Sequence, residues 1–102
     1  MRYVLVLQWP GCSEADFDAL ISMENQVATA VGPYASVDGH DFGSAEMNIF
    51  VRTDQPTEAF ADAARVLSEN PRWGDLRAAY RDESDGPYQI VWPRGLGEFS
   101  VT

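Results

Sequence analysis

The sequence predicts an α+β domain in which two helices lie on one face of an antiparallel sheet. Three observations predict it. Two stretches of helical period are separated by a pair of strand-like segments with a short polar connection between them. Further strand-like segments open the chain and follow the second helix. The length of 102 residues, with 45% hydrophobic and 23% charged residues, suits one domain with one core, here residues 1–102.

The first strand is expected from about Arg2 to Trp9. Tyr3, Leu5 and Leu7 share one parity, Val4 and Val6 the other, so the strand is apolar on both faces and central in its sheet. Pro10-Gly11 ends it. A helix follows from about Glu14 to Val31. Ser13 is its N-cap, with Asp16 three residues on as a capping box. Phe17, Leu20, Ile21, Val27, Ala28 and Val31 form its apolar stripe, and Glu24 interrupts that stripe at its margin. Gly32-Pro33 stops it.

Two strands come next, about Tyr34–His40 and Glu46–Arg52, joined as a hairpin across Asp41-Phe42-Gly43-Ser44. Val37 and Met47 reach the same face only through an odd-numbered loop or a bulge. A three- or five-residue loop is therefore expected, with Ala35, Val37, Met47, Ile49 and Val51 on the core face. Tyr34, Ser36, Asp38 and His40 then share the open face with Glu46, Asn48, Phe50 and Arg52. Gly39 inside the strand also points to a bulge.

The second helix is expected from about Pro56 to Glu69, with Asp54 as N-cap, Pro56 in the first turn and Phe60, Ala63, Ala64 and Leu67 as its stripe. Strands at about Leu76–Asp82 and Tyr88–Trp92 flank the turn Asp85-Gly86-Pro87. The tail from Arg94 carries a strand-like Phe99–Val101 and either crosses to a second subunit or frays. The resulting βαββαβ order, with an extra C-terminal strand, is that of a ferredoxin-like two-layer sandwich.

Charge narrows the function classes. Sixteen acids face seven basic residues, all arginine, for a net charge of −9. Such a surface repels phosphate backbones and anionic lipid, so neither nucleic acid nor membrane is an expected partner. The single Cys12 allows no internal disulfide, which fits a cytoplasmic location, and no signal-peptide pattern or membrane-length apolar run is present.

The densest polar segment is Asp38-Gly39-His40-Asp41, with Glu46 and Asn48 across the hairpin. The only histidine, His40, with Asp38 or Glu46 beside it, has the composition of a general base or a metal ligand set. No diagnostic ligand spacing accompanies it, and neither metal nor cofactor is expected. Tyr34, Asp38, His40, Glu46, Asn48, Phe50 and Arg52 form the expected binding face. Exposed aromatics on an open sheet mark a protein interface more often than a base-stacking platform. Trp9, Trp73 and Trp92 are read as closing the core, and Cys12 lacks a partner for catalysis.

The run Val37 to Phe50, with the opening Tyr3-Val4-Leu5-Val6-Leu7, resembles small, uncharacterised (hypothetical) bacterial proteins of this length. That resemblance implies no activity and no functional residues. In element order the chain also looks like dimeric α+β-barrel proteins, whose open sheet faces pack together. The preferred expectation is a non-enzymatic acidic binding protein, a homodimer through its open sheet face or the holder of another protein partner. The alternatives are an immunity- or antitoxin-like protein that neutralises a basic toxin, and a dimeric α+β-barrel enzyme or small-molecule binder using His40 with Asp38 or Glu46.

Overall fold

The computed structural model describes residues 1–101. It runs β1 (Tyr3–Pro10), α1 (Glu14–Ala30), β2 (Ala35–Gly43), β3 (Glu46–Thr53), α2 (Pro56–Leu67), a short 3-10 helix (Pro71–Asp75), β4 (Arg77–Asp82) and β5 (Gln89–Trp92). The five strands form one antiparallel sheet in the order β2-β3-β1-β4-β5. Five antiparallel strands with two helices make this an α+β fold, consistent with a ferredoxin-like sandwich.

Strand β1 is central because both its parities are apolar. Leu5, Leu7 and Trp9 turn towards the helices and join Met47, Ile49 and Val51 of β3 and Ala78 of β4 in the core. From the helices come Leu20, Met23 and Val27 of α1 and Ala59, Ala63 and Leu67 of α2. Phe17 was expected in the α1 stripe, but it lies at the sheet margin and is 37% exposed, whereas Met23 takes a core position. Trp73 packs on Trp92, and Trp92 on Phe60, so these rings close one end of the core.

Helix α1 begins as its sequence dictates. Asp16 N–H donates to Ser13 Oγ (3.0 Å), and the Asp16 carboxylate accepts from Ser13 N–H (3.0 Å) and Cys12 N–H (2.9 Å). Arg72 of the 3-10 helix then pairs with Asp16 at 2.8 Å. The backbone donors of Ser13 and Cys12, with Arg72, hold the Asp16 carboxyl far below the usual carboxylate range. The start of α2 differs from expectation. Gln55 is the N-cap and makes no side-chain cap bond, while Asp54 instead accepts from Arg2 N–H at 2.9 Å. Thr53 fills the gap, accepting from Gln55 N–H and donating to the Tyr34 carbonyl.

The hairpin corrects the expected loop. Gly43 pairs with Glu46, so Ser44 and Ala45 are the two residues of a tight turn, both with positive φ (55° and 63°). Such two-residue turns need positive φ at both central positions. The face change comes from a bulge instead: β2 shifts register between Val37 and Gly39, which leaves Asp38 unpaired. Val37 opposes Val51 before the bulge, and His40 and Phe42 oppose Ile49 and Met47 after it.

The tail neither forms a strand at Phe99–Val101 nor leaves the molecule. It folds back over the sheet face opposite the helices, where the Ser100 carbonyl accepts from Gln8 Nε2 at 2.9 Å and Phe99 packs edge-on against Tyr88.

Candidate functional site

The bulge at Asp38 decides where the hairpin's polar side chains go. Because Asp38 is extra in its strand, residues after it take the opposite parity from the one a regular strand would give. His40 therefore sits on the helix side of the sheet, not on the open face. Its Nδ1 lies 3.1 Å from both carboxylate oxygens of Glu24, the residue that interrupts the α1 stripe. Phe17 packs edge-on against both His40 and Phe42 (centroids 5.9 and 5.3 Å). The His40 side chain is 33% exposed. The expected grouping of His40 with Asp38 and Glu46 is not assembled: Asp38 is exposed on the bulge, and Glu46 lies on the opposite face. Among the described residues, no three His, Cys, Asp or Glu side chains converge as a metal site.

The open face holds a different polar group. Gln8 (1% exposed) and Asn48 (0%) are adjacent on β1 and β3. Gln8 Nε2 donates to Asn48 Oδ1 at 3.0 Å and, at longer range, to Glu46 (3.4 Å); Asn48 Nδ2 donates to Glu46 at 3.2 Å. Buried amides demand such partners. With the Ser100 carbonyl, this network fastens the tail to the sheet, so Asn48 is held within the molecule rather than offered to a ligand.

Phe50 is half-buried on this open face, opposite Val6 and Gly39. Arg52 pairs with Glu83 beyond β4. Tyr34 precedes β2 and turns to α2, where its hydroxyl donates to the Asp62 carboxylate. That bond lowers the Asp62 carboxyl, helped by Gly32 N–H and Arg65, and raises the Tyr34 phenol above its ordinary value. The seven expected binding residues are thus divided among the helix side, the bulge and the open face.

A surface cavity of about 450 Å³ lies between the helices and is lined by Asn25, Gln26, Thr29, Val66 and Glu69. A further cavity, of about 310 Å³, lies at the β4–β5 turn against Tyr3, Tyr80, Arg81 and Asp82. Neither lining includes His40.

What the sequence reading did not isolate is the edge of β2. This strand ends the sheet, and along it stand exposed Asp38, exposed Asp41 and the Phe17 ring of α1. The signal was available: between residues 3 and 51 there is no lysine or arginine, against seven acids (Glu14, Asp16, Asp18, Glu24, Asp38, Asp41 and Glu46). Those residues are β1, α1, β2 and nearly all of β3, so the charge asymmetry becomes a spatial one at the β2 end of the sheet.

No family model, curated protein or solved structure matches this chain. Among the described residues no helix is long and apolar enough to cross a membrane.

Proposed function

We propose that the chain is a non-catalytic interaction protein whose partner is basic. One observation carries this reading: the cation-free stretch 3–51 folds into the β2 half of the sheet and the helix above it. Arg72 offsets Asp16, and His40 faces Glu24. Glu14, Asp18, Asp38 and Asp41 are exposed to solvent. A predominantly acidic surface of this kind steers basic partners and speeds their association. An immunity- or antitoxin-like role against a basic toxin is the specific form of the same reading. A cytoplasmic site of action fits the single, exposed Cys12. We read β2-β3-β1-β4 with both helices as a ferredoxin-like βαββαβ core, and β5 as an addition to it.

The test is titration of the 15N-labelled chain with an oligolysine peptide and, separately, an oligoglutamate peptide. Lysine peptide should shift amides around residues 14–18 and 38–41, and the shifts should fade as salt rises. No binding at low salt, or shifts spread evenly over the molecule, would overturn the reading.

A homodimer through the open sheet face is the second reading. It is favoured by Ile90, 36% exposed on that face, which also carries half-buried Val4 and Phe50 on other strands. Light scattering on a sizing column decides it: twice the 11.3 kDa chain mass supports the dimer, and a monomer at high concentration removes it.

A further inference from the structure

The sheet has two ends. At one, β5 is four residues long and runs directly into Pro93. At the other, β2 is nine residues long, contains no proline and, among the described residues, pairs only with β3. In an antiparallel ladder alternate residues turn their N–H and C=O groups away from the neighbouring strand, so the outer side of β2 presents a row of backbone donors and acceptors. The bulge interrupts this row at Asp38 and leaves Gly39–Gly43 as a continuous segment.

Within that segment the side chains alternate sharply in chemistry. His40 and Phe42 point to the helix side, where Phe17 packs edge-on against both rings with 37% of its surface exposed. Asp41 points to the other side, opposite Asn48, and Asp38 stands on the bulge just before it. A strand laid along β2 would therefore have one parity against the Phe17 and Phe42 rings, with His40 and its partner Glu24 beside them, and the other against the Asp38 and Asp41 carboxylates.

From this we propose that β2 is a docking edge for an extended basic segment of another protein, which adds as a sixth strand. The segment alternates cationic residues, set against Asp38 and Asp41, with apolar residues set against Phe17 and Phe42. Main-chain hydrogen bonds supply affinity in such strand addition, and alternate side chains supply selectivity. A second copy of this chain is the wrong occupant. Pairing β2 with β2 brings the aspartates of both copies onto one seam, and like charges placed opposite each other across strands are destabilising. The same aspartates that keep the edge from self-association select a cationic strand.

This inference rests on the basic-partner reading, and one experiment separates the two. The probe is the capped peptide acetyl-Lys-Val-Lys-Val-Lys-Val-Lys-amide, titrated into the 15N-labelled full chain. Binding should slow hydrogen exchange at amides within Gly39–Gly43. The double variant D38K/D41K, altered only at exposed positions, should bind roughly tenfold more weakly or worse while keeping the circular dichroism of the parent. Replacing the valines of the probe by serines should also weaken binding. The deciding probe is the same peptide N-methylated at alternate amides, which keeps every charge but cannot complete a ladder; it should fail to bind. If the methylated peptide binds as well as the parent, the edge proposal is overturned and the basic-partner reading stands. If no lysine peptide binds even at low salt, both fall.

Discussion

Gly39 shows how a single residue sets the placement of a candidate site. Its φ of +142° lies where side chains with a Cβ are strained, and a Cβ there would meet open space, so the penalty is conformational rather than steric. Replacing Gly39 by alanine should cost about 1–2 kcal/mol in urea unfolding. It should also loosen the bulge that puts His40 beside Glu24, visible as weakened NOEs between the His40 and Phe17 rings. A variant with parental stability and parental ring NOEs would mean that the bulge does not need glycine. Gly32 is constrained differently: a Cβ on it would stand 2.8 Å from the Tyr34 ring, which must stay close so that its hydroxyl reaches Asp62. Neither constraint could be read from composition. The glycine in the strand signalled the bulge, but only the paired register shows that the extra residue is Asp38.

At the scale of elements, the β2–β3 turn and the tail each carry a testable consequence. The turn places Ser44 and Ala45 in the left-handed region, which asparagine and glycine adopt far more readily. The double substitution S44N/A45G should therefore stabilise the chain by about 1 kcal/mol, raising Tm by roughly 4–8 °C for a domain of this size. An unchanged or lower Tm would show that the native turn is not strained. The tail is held by the Gln8–Ser100 hydrogen bond and the Tyr88–Phe99 contact. Ending the chain after Pro93 removes both, and leaves an amide hydrogen of Gln8 without its closest acceptor. A buried group so deprived costs about 1–3 kcal/mol unless water reaches it. Faster hydrogen exchange in β1 and β4 of the shortened chain is the expected signature; unaltered exchange would show that the tail does not protect the sheet. The strand expected at Phe99–Val101 does not form, and the partner of the tail was not legible in the sequence, because Gln8 and Ser100 lie at opposite ends of the chain.

Over the whole molecule, charge governs the response to pH. Asp16, Asp62 and Asp82 are held below the ordinary carboxylate range, by backbone donors of Ser13 and Cys12, by the Tyr34 hydroxyl, and by Ser84 respectively. A carboxyl lowered in the folded state adds stability above its unfolded value of about 3.9, and loses it as pH falls through the folded value. The Tyr34 phenol is raised, so its contribution holds below about pH 10 and is lost as pH rises through the folded value. Thermal unfolding across pH should therefore show a plateau with losses at both ends. The variant Tyr34→Phe should flatten the alkaline limb; an alkaline limb identical to the parent's would assign that loss to other groups. On the acid side, loss of carboxylate charge also removes the attraction proposed for a basic partner, so binding should weaken there as well.

The sequence by itself determined the element order, the central place of β1, the capping box at Ser13 and the acidic balance of the surface. These follow from local periodicity, local hydrogen bonding and composition, which need no knowledge of distant neighbours. Tertiary structure decided which polar residues meet. Glu24 finds His40 because a one-residue bulge reverses side-chain parity, and Gln8 finds Ser100 because the tail returns over the sheet. It also put Asp38 and Asp41 of the cation-free stretch on the strand that ends the sheet. Alternation of apolar residues limits the register of the hairpin, but which residue is extra and which strands become neighbours are long-range choices, settled by the packing of helices and sheet around one core.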